Sequence, residues 1–194
     1  MKDIGIYIHM PFCKQKCYYC DFVSYSGAEN LIEEYIRKLN EELNTELLKI
    51  KNYNVKTIYI GGGTPSLCSK EDFEKIDIKK YVMKDTEFTI EINPGSASYE
   101  KLKLYKEIGV NRLSIGMQST NNKILKEIGR IHTYEEFLEI YQMARNLEYK
   151  NINVDVMIGL PNQSVNDVEE TITKVVNLNP EHISVYSLIL EEGT

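Results

Sequence analysis

Short runs of alternating apolar and polar residues are separated along the whole chain by longer stretches with helical spacing. Six runs read as β-strands: residues 4–9, 57–61, 88–93, 112–117, 152–158 and 182–190. Between the first two, Leu31, Tyr35, Leu39, Leu43 and Leu47 recur every four residues, which predicts a helix over 29–51 with one apolar face. Weaker helical patterns cover 70–83, 98–108, 121–128, 133–147 and 164–178. Two of these carry a start signal, because Thr133 precedes Glu136 and Ser164 precedes Asp167 at capping-box spacing.

Strand followed by helix, repeated in this way, demands parallel strands, since only a crossover of a dozen or more residues returns the chain in the same direction. The fold class is α/β. Within the strands the polar residues keep to one face: Gly5, Tyr7 and His9; Thr89, Glu91 and Asn93; Arg112, Ser114, Gly116 and Gln118; Asn153, Asp155, Met157 and Gly159. Isoleucine and valine take the other face. Such alternation ordinarily marks an antiparallel sheet with one wet side, which the intervening helices exclude. The pattern instead predicts an open barrel-like sheet, with helices on its outer face and an unusually polar interior that needs a polar occupant. The rival, a doubly wound sheet, would put Glu91 and Asp155 under a helix, an unfavourable place for unpaired carboxylates.

Composition narrows the class. With 194 residues, 42% apolar, 27% charged, 5 Pro and 11 Gly, the chain reads as one ordinary globular domain. That length falls short of a complete eight-fold barrel, which takes about 250 residues. The excess of 29 acidic over 23 basic residues, a net charge of −6, argues against a broad phosphate-binding surface, and the 14 scattered tyrosines form no stacking platform, so no nucleic-acid partner is expected. No apolar run approaches the roughly 20 residues of a membrane span, and residues 1–5 lack a signal peptide's apolar stretch. The expected location is therefore the reducing cytoplasm, where the four cysteines are poor disulfide candidates.

Three of those cysteines, Cys13, Cys17 and Cys20, crowd into eight residues directly after the first strand, at the end where barrel active sites are built. Cys-x3-Cys-x2-Cys places three thiolates on a short loop, the number that suits a cubane iron–sulfur cluster with one iron left open for a substrate. A structural zinc site would want a fourth ligand, for which His9 stands nearby; buried inert cysteines are the bland alternative. After the second strand, Gly61, Gly62 and Gly63 let a backbone loop approach a ligand closely. The loop lacks a phosphate-binding lysine. Glu91, a carboxylate on the inner face, requires a cation or several donors. Cys68, His132 and His182 read as packing or hydrogen-bonding groups, and His9 is left undecided.

The cysteine spacing resembles that of the radical S-adenosylmethionine (SAM) superfamily. Further likeness lies in Tyr7-Ile8-His9-Met10-Pro11-Phe12-Cys13, Gly61-Gly62-Gly63-Thr64-Pro65-Ser66, Glu91-Ile92-Asn93-Pro94-Gly95, Arg112-Leu113-Ser114-Ile115-Gly116-Met117-Gln118-Ser119, Gly129-Arg130-Ile131-His132 and Asp155-Val156-Met157-Ile158-Gly159-Leu160-Pro161. These segments, in order, look like the oxygen-independent coproporphyrinogen III oxidase family, which includes a porphyrinogen-decarboxylating enzyme and a heme-chaperone branch.

The resemblance implies a radical SAM partial (β/α)6 TIM-like barrel, with a [4Fe–4S] cluster on Cys13, Cys17 and Cys20. It implies SAM held by Tyr7, Gly62, Gly63, Thr64, Glu91, Gln118, Arg130 and Asp155, with Tyr19 packed near it. Reduced by an electron donor, the cluster of the family cleaves SAM to methionine and a 5′-deoxyadenosyl radical. The decarboxylating enzyme typically carries a fourth cysteine two residues after the third; this chain has Phe22 there. That departure favours the heme-chaperone branch, with heme or a porphyrin as ligand and a heme-accepting protein as partner, over oxidation of coproporphyrinogen III. By the same resemblance, residues 1–194 are the radical SAM core, truncated after the sixth strand, and a C-terminal family domain that would cover the open side of the barrel is expected to be absent.

Overall fold

A computed structural model describes residues 2–49 and 53–191. Strand β1 (Lys2–Met10) leads into the cysteine loop, which contains two two-residue strands, β2 (Phe12–Cys13) and β3 (Tyr25–Ser26), and then into α1 (Ile32–Leu48). Strand and helix alternate from there: β4 (Tyr53–Gly62), α2 (Lys70–Glu74), β5 (Glu87–Ile92), α3 (Tyr99–Glu107), β6 (Arg112–Gln118), α4 (Asn122–Glu127), α5 (Tyr134–Asn146), β7 (Ile152–Ile158), α6 (Val165–Asn177) and β8 (His182–Ser187).

The six long strands lie in the order β1-β4-β5-β6-β7-β8, and every neighbouring pair is parallel. Each crossover advances to the next position without reversing, so right-handed connections keep all the helices on one face and the sheet curls into a half-barrel. A doubly wound sheet would reverse direction part-way across; this one does not.

The alternation in sequence sets which face is which. Ile8, Ile58, Ile60, Ile90, Ile115 and Val154 point outward and are at most 2% exposed, packed against Ile36, Leu102, Phe137 and Val175 of the surrounding helices. Burial of each such side chain is worth about 1.5–3 kcal/mol, and this layer is the main stabilising element. On the other face paired residues form rows: Tyr7–Tyr59–Thr89–Arg112, then Glu91–Ser114–Asn153–His182. The helices start where the sequence marks them. Thr133 and Ser164 form complete capping boxes with Glu136 and Asp167, and Ser69, Ser98 and Asn121 cap α2, α3 and α4.

Three elements fall short of the expected spans, and β4 begins at Tyr53 rather than at residue 57. The helix over 70–83 stops at Glu74, leaving a single 3-10 turn at Lys79–Tyr81. The cause is tertiary: Asn40 of α1 donates to the Lys75 carbonyl at 2.7 Å and accepts from the Asp77 N–H at 2.9 Å, diverting two backbone groups that a continuing helix would pair. The helix over 29–51 opens with a 3-10 turn at Glu29–Leu31 and is α-helical only to Leu48; residues 50 and 51 lie outside the described residues. The strand over 182–190 ends at Ser187. Gly159, with φ +74°, turns β7's continuation away, and the Leu188 N–H finds the last available acceptor, the Ile158 carbonyl, at 2.9 Å. Among the described residues no helix is long and apolar enough to cross a membrane.

Candidate cofactor site

The cysteine loop lies at the carboxyl ends of the strands, stitched there from two sides. On one side, the Gly63 N–H donates to the Met10 carbonyl at 2.8 Å and the Thr64 N–H to the Phe12 carbonyl at 2.7 Å, which ties the end of β4 to the start of the loop. On the other, the Tyr18 N–H donates to the Ile128 carbonyl at 3.1 Å and the Gln15 amide to the Gly129 carbonyl at 3.2 Å, which ties the loop to the end of α4. Between these anchors a turn closes from the Cys20 N–H to the Cys17 carbonyl at 3.1 Å.

The three thiols share one locale. Cys13 is buried and accepts the Thr64 hydroxyl at 3.4 Å, and Cys17 Sγ lies 3.8 Å from Arg130 Nη1. Burial pushes the Cys20 thiol up from its ordinary pKa, with Cys17 and Cys13 adding to the rise as neighbouring negative charges. Among the described residues no three His, Cys, Asp or Glu side chains are grouped to hold a metal ion as they stand. The donor chemistry, three soft thiolates on one loop beside a guanidinium, fits an iron–sulfur cluster.

The glycine run at the end of β4 is required first by the protein's own packing. A Cβ on Gly63 would lie 2.8 Å from both the Met10 and the Phe12 carbonyl oxygens, and Gly62, at φ +109°, has the His9 ring where its side chain would be. Opposite the run, half-buried Glu91 receives the Tyr59 hydroxyl at 2.7 Å on Oε1 and the Gly62 N–H at 3.0 Å on Oε2. Desolvation holds its pKa above the ordinary carboxylate range, and the two donors offset part of that rise. The several donors that a carboxylate here requires are thus present, with capacity left on both oxygens for a cation.

A second cradle lies across the half-barrel. Arg130 donates through Nη2 to the Gly116 carbonyl at 2.6 Å and through Nη1 to the Tyr19 hydroxyl at 3.5 Å, while its Nε is buried without a partner. Gln118 is buried too, and its Oε1 is likewise unpartnered. A Cβ on Gly116 would sit 3.1 Å from Gln118 Nε2 and 3.2 Å from Arg130 Nη2, so both polar heads border the space above this glycine. Tyr19 packs its ring against Ile124, Leu125, Ile128, Met157 and Leu160, and burial raises its pKa. Buried polar groups rarely stay unpaired; a donor and an acceptor left open here fit a polar ligand.

Tyr7 donates to His9 Nδ1 at 3.0 Å, and His9 Nε2 donates to the Val23 carbonyl at 2.7 Å, so the role left undecided for His9 is to bridge β1 to the far end of the cysteine loop. Asp155 accepts from Asn153 at 2.7 Å and from Ser114 at 3.3 Å; burial raises its pKa while these donors and Arg130 lower it. It belongs to an internal polar network on β6, β7 and β8 as well as facing the interior. Cys68 and His132 are buried, in keeping with packing roles, and burial lifts the Cys68 thiol to about 11. His182 hydrogen-bonds Asn153 from β8. Tyr59, which orients Glu91, had a signal in the sequence: it alternates with Ile58 and Ile60 and so shares the inner face.

A half-barrel of parallel strands with three cysteines on the loop after the first strand is the architecture of one large class of proteins, and residues 7–175 match its family model: the chain belongs to the radical SAM superfamily. Within that class it is similar to the heme chaperone HemW of Bacillus subtilis (strain 168), 42% identical over 193 residues that cover 97% of this chain and 51% of the relative. It is also similar to HemW of Escherichia coli (strain K12), 37% identical over 199 residues that cover 100% of this chain and 53% of the relative. The chain spans about half the length of the curated relatives it matches. Among solved structures it is similar to coproporphyrinogen III oxidase (HemN) from Escherichia coli, a radical SAM enzyme, with a TM-score of 0.89 and 26% identity over 97% of this chain and 44% of that one. These similarities fit the HemW-like branch of the HemN family.

Proposed function

We propose that the protein holds a [4Fe–4S] cluster through Cys13, Cys17 and Cys20, binds SAM along the inner rim of the half-barrel, and serves in the cytoplasm as a HemW-like heme chaperone that passes heme to a partner protein. Residues 1–194 are then the cofactor-binding core of that function. The observation that carries the reading is Phe22, standing where the decarboxylating branch has its fourth cysteine, and the similarity to HemW proteins supports it.

When bound, the cluster and SAM supply one-electron reductive chemistry. The chain's own groups do the holding. Glu91, with two oxygens already oriented by Tyr59 and Gly62, accepts the ammonium of SAM, and Gly63 and Thr64 continue the same edge. Arg130 places its guanidinium beside Cys17 and balances thiolate charge while it anchors Gly116. Gln118 presents an open amide oxygen, Tyr7 and Asp155 line the interior, and the apolar cluster around Tyr19 keeps water from the thiolates.

The test uses the protein reconstituted anaerobically with iron and sulfide, titrated with heme by absorbance, and separately incubated with SAM, a low-potential electron donor and coproporphyrinogen III for mass spectrometry. Stoichiometric heme binding without porphyrin product is the expected result. Loss of two carboxylates with formation of 5′-deoxyadenosine would replace this reading with the decarboxylase.

A further inference from the structure

Strand β6 ends in an unusual backbone. Gln118 has φ +72°, and the Ser119 N–H donates to the Met117 carbonyl at 3.0 Å, closing a three-residue turn around it. A turn of this hand centred on a residue with a Cβ is rare and strained. The pairing of β6 with β7 also slips here, between Gly116 and Gln118. Glycine would adopt the conformation without penalty. A buried glutamine in its place means that the side chain is worth the strain, and its Oε1 is left open at the site.

Something must hold that turn. The Met117 carbonyl, which the Ser119 N–H already uses, receives a second donor, His132 Nε2, at 3.3 Å. Because a carbonyl only accepts, the proton sits on Nε2 and the buried Nδ1 is bare. His132 is 3% exposed, and burial together with the charge of Arg130 lowers its pKa to about 3, so it stays a neutral donor at every pH of interest. Gly95 lies alongside: a Cβ there would press on the neighbouring Ile131 at 3.1 Å and meet His132 in ordinary contact at 3.5 Å.

We propose that His132 is a positioning residue, which locks the strained turn at Gln118 by hydrogen-bonding the Met117 carbonyl and thereby aims the Gln118 amide at the cofactor. The hydrogen bond of the ring goes to a backbone carbonyl, so it acts through the backbone of its neighbour. This assignment rests on the reading of Gln118 as a SAM-facing residue, and the experiment separates the two.

Three proteins are compared after anaerobic reconstitution: the wild type, His132→Phe, which fills the volume without a donor, and His132→Gln, whose side-chain N–H reaches about as far as Nε2. Two quantities are read, the SAM dissociation constant by equilibrium dialysis and the deuterium uptake of the peptide spanning 117–120 without SAM. The expected result is a roughly tenfold weaker SAM affinity and faster exchange in His132→Phe, with iron content unchanged, and both within about threefold of wild type in His132→Gln. Equal exchange in all three proteins, or a glutamine variant as impaired as the phenylalanine one, overturns the positioning role. Exchange that responds as expected while SAM affinity does not change, or while the wild type binds no SAM, keeps His132 as the lock of the turn and removes Gln118 from the SAM site. A His132→Phe protein that melts before the assay temperature is replaced by His132→Leu, judged by the same two readouts.

Discussion

Glu91→Gln separates charge from shape at the centre of the proposed site. The amide keeps one acceptor oxygen for the Tyr59 hydroxyl, now at 2.7 Å, but turns its NH2 toward the Gly62 N–H at 3.0 Å, and it brings no negative charge to an ammonium. A hydrogen bond to a charged group is worth about 1.5–3 kcal/mol, so SAM should bind roughly ten- to hundredfold more weakly, at about 1.4 kcal/mol per decade. The pH dependence adds a second signature. Burial outweighs the donors and raises the Glu91 pKa above its ordinary 4.5. For an acid so shifted, the stability it contributes is present in the protonated form at low pH and is lost as pH rises through the folded-state value, by at most about 1.36 kcal/mol per pH unit. The stability of Glu91→Gln relative to wild type therefore improves as pH rises above the ordinary 4.5 and through the folded-state value, while its SAM affinity is flat over the acid range in which the wild-type affinity falls. Tyr59→Phe, which keeps the charge but removes one donor, should move the acid fall of the wild-type profile to higher pH. Equilibrium dialysis and thermal melts across pH 5–8 measure both. Equal SAM affinity of wild type and Glu91→Gln at pH 7.5, with parallel stability profiles, would refute the reasoning.

Cys17→Ser should cut iron and acid-labile sulfide to a small fraction of wild type after anaerobic reconstitution while far-ultraviolet circular dichroism is unchanged; full iron content would remove Cys17 from the ligand set. Gly62→Ala combines a disfavoured φ of +109° with a methyl group driven into the His9 ring; at about 1–2 kcal/mol for the backbone plus the collision, the melting temperature should fall by about 5–10 °C, and adding His9→Ala should recover the collision part. Thr133→Val breaks the capping box of α5 and should cost about 1 kcal/mol in urea unfolding with SAM affinity unchanged, since α5 lies on the outer face.

The features legible in the sequence were those set by local repetition. Ile58-Tyr59-Ile60 and Phe88-Thr89-Ile90 alternate because each strand has one face on helices and the other on the interior, so the strand positions and the polar interior follow from a period of two, while the parallel order follows from the helical stretches between the strands. Thr133 with Glu136, and Ser164 with Asp167, are legible for the same reason: both partners lie within one helical turn. The cysteine loop needs no fold at all to be noticed, since its three thiols lie within eight residues of chain.

What escaped the sequence depends on partners far along the chain. α2 ends early because Asn40 reaches the backbone at Lys75 and Asp77 from another helix, and no pattern within 70–83 carries that fact. The pair β2 and β3 is too short to show any period, and it exists because the loop is pinned between Pro11, which accepts the Tyr25 N–H at 2.8 Å, and the bridge from His9 to Val23. The sequence shows Gln118 at a strand end but not its φ of +72°, which comes from the slip of β6 on β7 and the second donor on the Met117 carbonyl. The Gly61-Gly62-Gly63 run shows the converse case. Its glycines read as room for a ligand, and the structure gives them a prior reason in the Met10 and Phe12 carbonyls and the His9 ring. A substitution at Gly63 would therefore unseat the cysteine loop before it touched any bound molecule, and loss of cofactor there is evidence about packing, whereas loss of SAM affinity at Glu91 is evidence about binding.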